Sequence, residues 1–289
     1  MYSLGVSGER GELMAELVMG IGVPHTPFFP GIAKQQGDSS RMVGLFKRVR
    51  QELESTKPDL IVMLTTDHFV SFFFDNMPTF CIGAFEHADG PHELSRMMQQ
   101  YRLQGSAEFA AGLVKYGIEN DFDLASSEEV KLDHATLVPL HFLTPEMKIP
   151  VVPIFIKALV EPLPRAERCL ALGHMIRRYI EQRPETERVA MIASGSFSLE
   201  VGGPSMGFVN KEWHAFVVEC LRGGDIDELV RKATSENMRA AGNTGGELLL
   251  WIAMMGALGA CRLKFIEPDG SPPDAPRDVH AYAVWEVVS

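Results

Sequence analysis

Four short runs, LVMGIGV (17–23), DLIVMLTT (59–66), IPVVPIFI (149–156) and RVAMIASG (188–195), are apolar at every central position and bounded by Pro, Gly or polar residues. A strand with one wet face alternates apolar and polar side chains. Continuous apolar strands rich in Val and Ile must be covered on both faces, as in the parallel sheets of α/β proteins. The covers are visible between them. Met42, Leu45, Phe46, Val49 and Leu53 recur at helical spacing, and so do Cys169, Leu170, Gly173, Ile176 and Ile180. The expected fold is α/β: one domain over residues 18–289, after an N-terminal extension 1–17, with a central mostly parallel or mixed sheet flanked by helices. A Pro- and Asp-rich surface loop, EPDGSPPDAP (267–276), should precede a last strand, AYAVWEVV (281–288).

A formal net charge of -11 argues against nucleic acid or an anionic membrane surface as partner and favours a small molecule. The four cysteines lack the spacing of a zinc knuckle or a disulfide framework. The N-terminal segment lacks the basic end and apolar stretch of a secretory signal. The longest apolar run, Leu248 to Cys261, is shorter than the roughly 18 residues of a membrane span, so it reads as a buried helix. These features together predict a cytoplasmic protein.

In parallel α/β sheets ligands gather beyond the carboxyl ends of the strands. His25 and His68 follow two of the runs, the loop SGSFSLEVGGP follows a third, and Glu247 opens the apolar helix. Two imidazoles and a carboxylate leave open positions on a six-coordinate ion, an arrangement suited to non-haem Fe(II) oxygen chemistry. Each residue has a plainer reading as well. His25 fits an ordinary turn, His68 a satisfied buried histidine, and Glu247 a capping box with Thr244. Beside Asp133, His134 reads either as a proton carrier near a metal or as a histidine closing a turn. His141 reads as core. The cluster Glu86, His87, Asp89, His92 and Glu93 has metal-ligand composition but reads as a solvated loop because of Gly90 and Pro91. His174, His214 and His280 have no companions in sequence.

With these residues in view, the chain resembles the class III extradiol ring-cleaving dioxygenases, in particular the catalytic subunit of protocatechuate 4,5-dioxygenase. The resemblance runs through GIGVPHTP, TTDHFVSFFFDNMPTFCIG, Asp133-His134-Ala135 before TLVPL, IPVVPIFIKALVEPLP, GFVNKEW and NTGGELLLWIAMMGAL. It implies Fe(II), or alternatively Mn(II), held by His25, His68 and Glu247, with a small hydroxylated aromatic (a catechol, aminophenol or gallate-like compound) and O2 as substrates. It also implies a homodimer or higher homo-oligomer, with a small second subunit as a further partner. Where the family carries an acid/base histidine, in a pattern like GG-aliphatic-SH, this chain has Leu199, within Ser194-Gly195-Ser196-Phe197-Ser198-Leu199-Glu200. The resemblance therefore leaves His134 and Glu200 as catalytic candidates and sets Ser196, Phe197 and Leu199 against the substrate. Altered or non-oxidative chemistry, or a non-catalytic metal- and aromatic-binding subunit, is the alternative.

Overall fold

Both faces of the central sheet are buried under helices, as the continuous apolar runs require. The computed structural model describes residues 14–93, 98–183, 187–269 and 280–288. In chain order these form β1 (Glu16–Val23), α1 (Phe29–Gln36), α2 (Arg41–Thr56), β2 (Leu60–Thr65), β3 (Phe80–Gly83), β4 (His87–Gly90), β5 (Tyr101–Gln104) and α3 (Ala107–Glu119). Then follow β6 (Ala125–Ser127), α4 (His134–Leu143), β7 (Val151–Ile156), α5 (Ala166–Glu181), β8 (Arg188–Ser194), α6 (Lys211–Gly223), α7 (Ile226–Lys232) and α8 (Ser235–Ala240). The last elements are α9 (Leu248–Leu258), β9 (Cys261–Pro268) and β10 (Ala281–Val287).

The eight-stranded sheet has the order β6-β3-β7-β2-β8-β1-β10-β9. Its middle four strands, β7, β2, β8 and β1, are parallel and correspond to the four apolar runs. β3 joins β7 antiparallel, and β10 joins β1 antiparallel, so the sheet is mixed. All six residues of β2 and of β7 are buried. The expected α/β sheet is thus observed, and the expected last strand is β10; the other outer strands, β3, β6 and β9, were not read from the sequence. The first strand begins at Glu16, so the 17/18 boundary falls inside it. Residues 1–13 of the expected extension, and 270–276 of the expected surface loop, lie outside the described residues; Glu267 and Pro268 end β9.

On one face α2 and α4 bury Phe46, Val49, Leu53, Leu137 and Leu140 against Ile21, Ile61 and Met63. On the other lies α9, every residue of which is buried, with α5 packed along it. Two glycines set that helix pair. A Cβ on Gly173 would fall 1.9 Å from the Ala253 carbonyl oxygen, and one on Gly256 would fall 2.2 Å from that of Leu170. Only backbone-to-backbone approach gives this spacing. Gly173→Ala should therefore force the helices apart and lower stability by about 1–3 kcal/mol, as overpacking typically does. Thermal melts of the two proteins check this: an unchanged or raised Tm would mean that the contact is not tight.

Candidate metal centre

The parallel middle strands deliver their carboxyl ends to one edge of the sheet. β1 leads to His25, β2 to Asp67 and His68, and β8 to Ser194, Gly195 and Ser196. Just past β2 the chain reverses sharply. The Asp67 carboxylate accepts the backbone N–H groups of Val70, Ser71 and Phe72 at 3.1, 2.9 and 3.0 Å, and Phe69 takes a left-handed φ of 59°. A non-glycine residue in that conformation is strained and is held by its surroundings. Beside it, His68 is turned inward. α4 begins at His134 with Asp133 as its N-cap, the carboxylate accepting from Ala135 N at 3.0 Å. α9 begins just after Glu247, which is 1% exposed.

The capping box, the plainer of the two readings of Glu247, does not form. Thr244 instead donates its hydroxyl to the Leu199 carbonyl oxygen at 3.0 Å, and the Glu247 side chain points across to β8. There its Oε2 accepts the Ser196 N–H at 2.7 Å. Gly195 permits this approach, since a Cβ there would lie 2.6 Å from the Glu247 Cβ, at a φ of +150° that side chains disfavour. The other oxygen, Oε1, is buried without a hydrogen-bond partner.

What surrounds that oxygen decides the chemistry. His25 Nε2 lies 3.1 Å from Oε1 and His68 Nε2 3.9 Å from it. The three rings of His25, His68 and His134 have one ligand atom each within 4.8 Å of the others. Their tautomers follow from their outer nitrogens. Ser194 spends its hydroxyl proton on the Ala135 carbonyl at 2.7 Å, so at the 2.6 Å contact its oxygen accepts from His25 Nδ1–H. His68 Nδ1 faces Asp133 Oδ2 at 3.0 Å, and His134 Nδ1 faces Glu93 Oε1 at 3.1 Å. A carboxylate only accepts, so both nitrogens donate. In their neutral forms the three rings therefore turn Nε2 lone pairs toward one another and toward one carboxylate oxygen.

The electrostatics favour a neutral ring at His25 and an ionised carboxylate at Glu247, and a proton on His68. Burial, the largest influence on His25, favours its neutral form and outweighs the pull of Glu247, leaving its pKa below 6.5. Burial would push Glu247 up, but His25, His68 and the Ser196 N–H together hold its carboxyl below the usual range. Burial opposes protonation of His68 as well; there Asp133, Glu247 and Asp67 prevail, and its pKa is raised. Asp133, which burial alone would raise, is held at about 2 by its hydrogen bonds to His68 and the nearby imidazoles. Buried lone pairs without donors are costly, and a divalent cation among them removes the cost. The donor set fits such an ion. Ser194→Ala would free the His25 tautomer and should weaken metal binding about 10–100-fold, as loss of such supporting hydrogen bonds usually does. A metal titration of the variant reads this directly, and unchanged affinity would refute the tautomer argument.

The centre opens into a cavity of about 620 Å³. His25, His68, Glu247, His134, Ser196, Leu199 and Glu200 all reach its wall. Phe197 does not, contrary to expectation. Its ring packs on Trp251 at 4.7 Å and on His214 at 5.5 Å, inside the core. Phe28 and Phe69 are the aromatic residues on that wall. Glu200 is engaged, its Oε2 accepting the Asn243 N–H at 2.8 Å. Asp133, the sequence neighbour of His134, orients His68, accepting both its backbone N–H at 2.8 Å and its ring N–H. Glu93, expected in a solvated loop, reaches in to fix His134 through the ring and through its backbone N–H at 2.8 Å. The loop's other members remain outside, with His87–Gly90 paired to β5 as a hairpin. His141 is only part-buried and bonds the Tyr101 hydroxyl.

Two further features escaped the sequence. His280 is buried, its Nδ1 bonded to Asp269 Oδ2 at 2.9 Å and its Nε2 3.2 Å from the Thr26 hydroxyl, which lines the cavity next to His25. His214 is buried with its Nε2 unpartnered, and burial pushes its pKa down to about 4.

Residues 19–269 match a family described as the catalytic LigB subunit of aromatic ring-opening dioxygenase. The chain is 28% identical over 189 residues to a 2,3-dihydroxyphenylpropionate/2,3-dihydroxicinnamic acid 1,2-dioxygenase of Photorhabdus laumondii, covering 65% of this chain and 58% of that protein. To the enzyme of the same name from Rhodococcus rhodochrous it is 23% identical, over 82% of this chain and 87% of that one. A gallate dioxygenase of Pseudomonas putida is 34% identical over 144 residues, which is 49% of this chain and 42% of that enzyme. Two of these three alignments thus span about half of the relative's length. The crystal structure of an uncharacterised Escherichia coli K12 protein shares the fold, with a TM-score of 0.59 at 15% identity over 92% of this chain and 99% of that one.

Proposed function

Because the chain belongs to the family of catalytic LigB subunits of aromatic ring-opening dioxygenases, we propose that it cleaves the ring of a small hydroxylated aromatic with O2, beside a non-haem Fe(II) held by His25, His68 and Glu247. The carrying observation is the convergence of the Nε2 atoms of His25 and His68 on the unpartnered Glu247 Oε1, on the wall of a cavity sized for a small molecule. Bound there, the ion supplies Lewis acidity toward adjacent ring oxygens and one-electron redox chemistry toward dioxygen, with Mn(II) as the substitute metal. The protein is proposed to work in the cytoplasm as a homo-oligomer; among the described residues no helix is long and apolar enough to cross a membrane.

The chain's own part is binding and proton handling. His134 exposes its Nε2 lone pair to the cavity while Glu93 holds Nδ1–H. It can accept a proton from a substrate hydroxyl at Nε2, becoming an imidazolium stabilised by Glu93, and return that proton later. Glu200, bonded to Asn243, serves less readily as the base. Leu199 is anchored through its carbonyl by Thr244 N and Oγ1 at 3.1 and 3.0 Å, so its side chain is fixed as an apolar piece of wall. This is a site rebuilt around another base. Leu199→His should therefore change oxygen consumption on a panel of catechols, aminophenols and gallate-like acids by no more than a few-fold, or reduce it. A gain of about 10²-fold or more, the usual worth of a positioned acid/base group, would show instead that the site has only lost its histidine.

A further inference from the structure

The apolar mouth of the cavity narrows the substrate. Phe28, Phe69, Leu159, Leu199, Val201 and Met206 line it. Four of these are large apolar side chains left in contact with water, Phe28 at 48%, Phe69 at 38%, Val201 at 52% and Met206 at 59% exposure. They sit together at one opening, continuous with the histidine cluster, where an apolar ligand group would cover them. Glu200 adds a carboxylate to the same wall, and among the described residues no Lys or Arg side chain lines the cavity. Room is ample. A cavity of about 150 Å³ admits benzene, so 620 Å³ holds a ring and a sizeable substituent.

We propose that the substrate is a catechol bearing a bulky, uncharged, apolar substituent, seated against Phe28, Phe69, Val201 and Met206, and that carboxylated catechols are disfavoured. The inference rests on reading the cavity as the place where catechols bind. A ring carboxylate entering there would lose its water without gaining a Lys or Arg partner from the described residues and would meet the like charge of Glu200.

The test is calorimetric titration of the Fe(II)-loaded protein under anaerobic conditions with 3-propylcatechol, 3-phenylcatechol and 3-(2,3-dihydroxyphenyl)propionate. The two neutral compounds should bind at least about tenfold more tightly than the carboxylate. Val201→Arg, which sets a cation at the mouth, should narrow that ratio at least about fivefold. Equal or tighter binding of the propionate by the unaltered protein overturns the proposal, as does failure of the neutral compounds to bind. Air is then admitted to each complex. If the tightly bound neutral catechol consumes no oxygen, the ring-cleavage reading fails while the ligand class stands. If the propionate is bound and consumed in preference, the ligand class fails while ring cleavage stands.

Discussion

Replacing Glu247 by Gln is expected to weaken metal binding about 10²–10⁴-fold. The Glu247 Oε1 has no hydrogen-bond partner and lies 3.1 Å from His25 Nε2 and 3.9 Å from His68 Nε2. A glutamine of the same shape keeps an oxygen for the Ser196 N–H and turns an amide N–H toward His25 Nε2. The change takes the one anionic ligand from the metal and sets a donor against the lone pair that His25 would offer, and losing the partner of a buried charge costs about 3–5 kcal/mol. A metal titration of the variant reads this, with a thermal melt showing that the variant is folded. A folded variant that keeps its metal would count against the convergence of lone pairs.

For His134→Ala the expected result is a loss of turnover of about 10²–10⁴-fold with metal content nearly unchanged, the usual contribution of a general base. His134 is the ambiguous member of the cluster. Its ring centroid lies 4.2 Å from that of His68 and 5.6 Å from that of His25, close enough for a three-histidine site. The ionised Glu247 supplies the third ligand in our assignment and leaves His134 Nε2 for the substrate. Iron analysis beside steady-state kinetics separates the roles. If the variant loses its iron, His134 is a ligand, and a different group must carry the proton.

Legibility followed geometry that repeats along the chain. The four middle strands were readable because burial on both faces makes every residue of β2 and β7 except Thr65 apolar. The three proposed ligands were readable because each sits where such a segment meets its turn. Partners set by tertiary contact were not. Asp133 adjoins His134 in sequence, but as an N-cap its side chain turns back across the helix start toward His68. Glu93, from a loop that composition marks as solvated, is the partner that fixes His134. Phe197 follows Ser196 in the bend past β8, where no strand or helix period says which way a side chain turns, and there Ser196 lines the cavity while Phe197 enters the core. His280 looked solitary because its partners are Asp269, eleven residues earlier, and Thr26, at the other end of the chain.

The most direct test of ring opening at this centre is to reconstitute the protein with Fe(II) without air, add a catechol and 18O2, and weigh the product by mass spectrometry. One O2 consumed per ring opened, with both labelled atoms in the product and none of this in Glu247→Gln, is the predicted result. Oxygen uptake without incorporation, or incorporation that persists in Glu247→Gln, would contradict it.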